Sequence, residues 1–276
     1  MNHHRIILIS SFAIALTGGF LLSIQKTQAA ELIPSIINVA MAKEETTDTL
    51  SLDQRKALLQ DIVTTSQTEI QNLKDALNDL KLDGAWDSAR DQFLTQLATS
   101  TEYYASLGKR VGEKDVTLDD IKTIAKELKD WRENVYTVQL KAAGNMILIF
   151  QTDDVRRIVQ SRNEKISDDI KKLDRQKLVN TDTLKKYLSQ ADKSIKNATA
   201  LNAKAKDLYY KESIAPLQPK DAREPDESDI ETATSSPSLQ EPSDRQDDIR
   251  DLSKEALKEL KNAYELFFKM NDRIRK

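Results

Sequence analysis

The chain has 276 residues, 42 Lys and Arg against 45 Asp and Glu, a formal charge of -3, no Cys and two His. Both histidines, His3 and His4, sit at the extreme N-terminus, so a chain processed downstream of them has neither imidazole nor thiol. Ser-His-Asp and Cys-His catalysis, Cys/His zinc sites, thiolate clusters and disulfides are then excluded. Charge this evenly balanced gives no clustered positive field for phosphates, so no nucleic-acid partner is expected.

Charged residues make up 32% of the chain and apolar ones 39%. An ordinary globular chain has roughly 25% and about 45–50%. That balance suits long helices with one apolar stripe each better than a thick core or a sheet.

Residues 1–30 have the layout of a secretory leader. A positive start at Arg5 precedes an uncharged run from Ile6 to Ile24, and small residues Ala29 and Ala30 follow. The competing reading is an uncleaved anchor over residues 6–24, since about 20 apolar residues span a bilayer. Either way the expected destination is outside the cytoplasm: secreted, periplasmic or at the cell surface. Residues 31–50 form a lead-in whose apolar part, 32–41, reads as a strap on the bundle, a lengthened leader or an interfacial membrane segment.

Residues 51–212 read as a helical bundle. Ser51 is an N-cap candidate for a helix with Leu52, Leu59, Val63, Ile70, Leu73, Leu77 and Leu80 on one face. Lys56 and Ser66 complete its heptad steps, and Asp83-Gly84 stops it. The second helix runs from about Trp86 to Leu107, with Gly108 and Gly112 in the loop beyond. Thr117 and Asp120 open a third as an approximate capping box. Its stripe is Leu118, Ile121, Ala125, Leu128, Trp131, Val135, Val138 and Ala142.

Residues 142–150 are apolar almost throughout, as expected of a helix buried on several sides. Thr152-Asp153-Asp154 could cap a new helix or sit inside one continuous helix from Leu118 to Leu178, with a break or bend near 151–154 favoured. Asn180-Thr181 opens the next helix, whose seam of Leu184, Leu188, Ala191, Ile195, Ala198, Asn202, Ala205 and Tyr209 is poorer in large side chains.

The composition changes at residues 213–246, which hold five of the six prolines and a clear acidic excess. This stretch reads as a disordered acidic linker. Residues 247–276 form a last amphipathic helix with Ile249, Leu252, Ala256, Leu260, Ala263, Phe267, Met270 and Ile274 in line. It needs a partner surface, either on its own bundle or on another chain.

Candidate chemistry is sparse. Asp119-Asp120, Asp153-Asp154, Asp168-Asp169 and Asp247-Asp248 are adjacent pairs that point about 100° apart on a helix, so none chelates an ion alone. Helix-start positions account for most of them. Arg162 interrupts an apolar stripe and calls for a carboxylate or carbonyl, as a register-setting contact or as a site for a partner. Trp131 joins other rings at helical spacing, as core residues do or as a ligand cage would.

The expected fold class is therefore all-α: an elongated antiparallel, coiled-coil-like bundle, a linker and a C-terminal amphipathic helix. The function these features favour is non-enzymatic. An exported scaffold, spacer or adaptor at the cell envelope would associate through helices with a protein partner or with itself, with Arg162, Trp131, Ile249, Leu252, Leu260, Phe267 and Met270 as the contact candidates. No catalytic residue, cofactor or metal ligand is assigned. The alternatives are a membrane-active protein using residues 32–41 and 142–150, and an enzyme working with carboxylates alone.

Overall fold

The computed structural model describes residues 50–176, 180–214 and 242–275. The leader at 1–30, the apolar 32–41 stretch and most of the acidic linker, 215–241, lie outside the described residues. The fold is all-α, and no strand occurs among the described residues.

Helix α1 spans Leu52–Asn78 and α2 spans Ala85–Val111. Ser51 and Gln54 cap α1 reciprocally: the Ser51 backbone N–H donates to Gln54 Oε1 at 2.8 Å, and the Gln54 N–H donates to Ser51 Oγ at 3.3 Å. Between α1 and α2, Gly84 takes a φ of 54°, in the left-handed region that glycine enters without a Cβ penalty. Helix α2 runs through Gly108, one turn beyond its expected end. A Cβ at Gly108 would stand 3.3 Å from Val63 Cγ1, so glycine serves there as a close-packing residue and not as a loop breaker.

Helix α3, Leu118–Trp131, opens on the expected capping box of Thr117 and Asp120. A five-residue π-helical turn, Arg132–Tyr136, leads directly into α4, Thr137–Gln176. The break expected at 151–154 is absent. Thr152 Oγ donates back to the Leu148 carbonyl at 2.7 Å, and Asp153 accepts from Asn202 Nδ2, so neither residue caps a new helix. The irregularity lies instead at 132–136. A π turn accommodates one extra residue and moves the inward side on by about one position. Arg132 and Tyr136 are buried in consequence, whereas Val135 and Val138, expected on the stripe, stand 36% and 50% exposed.

Helix α5 is Asp182–Tyr209, extended by a second π turn, Tyr210–Ile214. Helix α6 begins at Pro242, ahead of the expected 247, and ends at Arg275. Proline suits a first helical position because its missing N–H would have no partner there.

The chain divides into two compact units. The first takes its described residues from 50–75 and Leu94–Gln139. In it α1 and α2 run antiparallel: Lys56 Nζ donates to the Glu113 carbonyl, and Lys74 Nζ donates to Thr101 Oγ1. Helix α3 completes an up-down-up arrangement over a core that includes Leu59, Ile70, Leu97, Leu107, Ile121 and Leu128. Each such side chain contributes about 1.5–3 kcal/mol on burial.

The second unit comprises Ala76–Phe93 and the described residues from Leu140 onward. Helices α4 and α5 are antiparallel, with Tyr209 hydroxyl donating to the Ala142 carbonyl and Asn202 Nδ2 to the Ile149 carbonyl. Helix α6 lies parallel to α4. Asn145 bonds Gln246 near one end, and the charge of Arg162 acts on Tyr264 further along. The shared core combines Val159, Ile170, Leu184, Ile195, Leu260 and Phe267 with buried alanines at 191 and 198 on α5 and at 256 and 263 on α6. Within 142–150, Ala142, Ala143, Asn145, Met146, Ile147 and Ile149 are buried in this unit. No described helix is long and apolar enough to cross a membrane.

Candidate functional site

Among the described residues, each unit contains a cluster where buried or half-buried charge and several aromatic rings meet. In the first, the π turn aims Arg132 inward, leaving it 5% exposed. Its Nη1 donates to Ser66 Oγ at 2.7 Å and to Tyr104 hydroxyl at 2.8 Å, and the guanidinium sits 5.0 Å from the Tyr136 ring centroid. Tyr136 hydroxyl donates to Glu69 Oε2 at 2.8 Å. The cation is therefore met by two hydroxyls and a ring face, with Glu69 one residue further away.

Trp131 stacks on Tyr103 at 4.2 Å and on Tyr136 at 5.7 Å, and meets Tyr104 edge-on at 5.2 Å. Burial raises the pKa of all three tyrosines. For Tyr103 it acts with the nearby Glu127 carboxylate to push the value up to about 12. For Tyr104, Arg132 and Ser66 work against the rise. For Tyr136, Glu69 adds to it. The rings that could have formed a cage are packed on one another around a cation of the same chain.

In the second unit, Asp153 accepts hydrogen bonds from Lys206, from Asn202 Nδ2 at 3.0 Å and from Arg156 Nε at 3.4 Å. Burial opposes its charge, but Lys206 and then Arg156 overcome that and hold the carboxyl below the usual range. Lys206 also lies 4.6 Å from the Phe150 ring centroid. Trp86 meets Phe150 edge-on at 5.1 Å and stacks on Tyr209 at 5.6 Å. A separate polar latch holds the start of α6. Asn145 Nδ2 donates to the Gln246 backbone carbonyl and side chain, Gln246 Nε2 donates to Ser213 Oγ at 3.0 Å, Arg245 pairs with Glu212, and Lys141 pairs with Asp247 at 3.2 Å.

The contact candidates read from the sequence are distributed over these features. Trp131 is half-buried in the first cluster. Arg162 is half-buried beside α6. Ile249, Leu260, Phe267 and Met270 are buried, at 0%, 1%, 5% and 2% exposure, in the core α6 shares with its own chain, and Leu252 is half-buried. The last helix therefore docks in cis.

Of the Asp pairs, only Asp119-Asp120 stands at a helix start. Asp153-Asp154 and Asp168-Asp169 lie inside α4, with partners that include Lys206, Arg157, Lys171 and Lys172. Among the described residues no three His, Asp or Glu side chains converge as a metal ion would require. Sequence reasoning noted Arg132 and Tyr136 only as neighbours of Trp131, with no site role of their own, and passed over Lys206. It took Ser66 as a seam filler and placed Gln246 in the linker. The available signals were Ser66 and Asn202, polar residues standing on otherwise apolar seams.

The fold and its two internally paired clusters define an all-α helical-bundle protein. Compared with protein-family models, curated proteins and solved structures, the chain matches none of them.

Proposed function

We propose that the protein is a non-enzymatic, exported helical protein that serves as a scaffold, spacer or adaptor at the cell envelope through helix-mediated association. The observation that carries this reading is how the bundle uses its reactive groups. Arg132, Glu69, Asp153 and Lys206 are engaged with side chains of their own chain, in positions that fix helix register. The apolar run with small residues behind it at 1–30 supports export.

The test is to crosslink the protein in its native host, isolate it, sequence its N-terminus and measure its mass in solution by light scattering. An N-terminus beyond Ala29, with an assembly above the monomer or a reproducible envelope neighbour, is the expected result. A strict monomer without any neighbour, or an unprocessed chain in the cytosol, would sink the reading.

A further inference from the structure

The groove between α4 and α5 in the second unit is a helix-binding site, and in this structure its occupant is α6. We propose that α6 is exchangeable, so that the same groove accepts α6 of a second copy of the chain. This rests on the association reading above and gives it a mechanism.

Three observations converge on that seam. First, the tether exceeds what the geometry needs. The end of α5 and the start of α6 touch, through Glu212 with Arg245 and Ser213 with Gln246. Antiparallel helices with touching ends are joined by about two to eight residues. Here residues 215–241 lie between them. The connection is thus longer than docking in cis requires, which gives α6 the contour length to reach a neighbouring copy.

Second, the seam is built to part at low cost. Ser253 Oγ on α6, Asn163 Oδ1 on α4 and Asn202 Oδ1 on α5 are buried without a hydrogen-bond partner. Of these, Ser253 leaves with α6, and an atom left in this state gains on exposure to water. The alanines at 191, 198, 256 and 263 bury little area each.

Third, the latch is specific in direction and register. Asn145, 4% exposed, and Gln246, 8% exposed, bond each other, and Lys141 pairs with Asp247. The site therefore recognises an amphipathic helix with Gln at its start and apolar residues where α6 carries Ile249, Ala256, Leu260, Ala263 and Phe267.

The chain has no cysteine, which makes the test clean. Full-length chains carrying Lys141→Cys alone and Asp247→Cys alone are mixed over a range of concentrations and treated with a short bismaleimide. Exchange predicts a covalent heterodimer whose share rises with concentration, together with slower formation when both chains also carry Ser253→Ala. If light scattering shows assembly but the mixture yields only unlinked chains, exchange is overturned and association by another surface stands. If light scattering also shows a strict monomer throughout, both fall.

Discussion

At the scale of single residues, buried charge gives the sharpest expectations. Arg132 is a guanidinium inside the first unit whose two hydrogen bonds go to hydroxyls. Arg132→Met leaves Ser66 and Tyr104 facing a smaller apolar group, and is expected to lower unfolding free energy by about 2–4 kcal/mol in urea titrations. Arg132→Lys recovers only part of the loss, because an ammonium lacks the planar fork and stacks poorly on Tyr136. Asp153 gives a pH signature. Its folded pKa is depressed, so its stabilising contribution is present above the unfolded value, about pH 4, and disappears as pH falls through the folded value. Asp153→Asn should therefore be less stable at pH 7 and show a flatter acid limb when urea midpoints are compared at pH 7, 4 and 3. Asp120 and Asp174 are depressed as well and titrate in the same window, so the flattening is partial. At the other extreme, Tyr103 with a pKa of about 12 keeps its proton in the folded state after an unfolded tyrosine has lost it. The Tyr103 contribution is thus full below about pH 10 and declines from there through about 12, a slope that Tyr103→Phe reduces in alkaline thermal melts.

The π turn at 132–136 is the telling feature at the scale of elements. It amounts to one residue inserted into a continuous α3–α4 helix. Deleting the exposed Glu133 should convert it to regular helix with both flanking registers kept, so the variant still unfolds cooperatively in far-ultraviolet dichroism melts. Deleting the exposed Ser161 from the α-helical part of α4 turns everything beyond it by about 100° and moves Asn163, Ile166 and Ile170 off the core. That variant should lose its cooperative transition. The same contrast shows what was legible in the sequence. The capping box at Thr117, the seams of α1 and α5 and the stripe of α6 as far as Met270 rest on local spacing and read directly, whereas Ile274, expected on that stripe, is exposed. The π turn does not, because it is stabilised by Ser66, Glu69 and Tyr104, partners far away in the chain. Thr152-Asp153-Asp154 misled for a related reason. The residue types that cap helices also back-bond to a carbonyl, as Thr152 does, or pair with a distant lysine, as Asp153 does with Lys206. Gln246 was lost from the expected helix because the prolines and acids just before it set the local composition.

For the molecule as a whole, the docking of α6 in cis means that noncovalent contacts hold it. A specific protease site introduced among residues 215–241 should give two pieces that co-elute on gel filtration, with the cut α6 exchanging when intact chain is added in excess. Pieces that separate under native conditions would show that the covalent tether is indispensable. The alanines of α5 and α6 carry a last consequence. With Ala191, Ala198, Ala256 and Ala263 at the contact, the two backbones are close neighbours, and the room between them is already used. Trimming one of these methyls to glycine costs about 1 kcal/mol of helix propensity, whereas enlarging one to leucine drives a wedge between the axes at about 1–3 kcal/mol. Change at this contact is therefore graded in one direction and abrupt in the other: trimming a methyl acts locally, whereas enlarging one pushes on an entire helix.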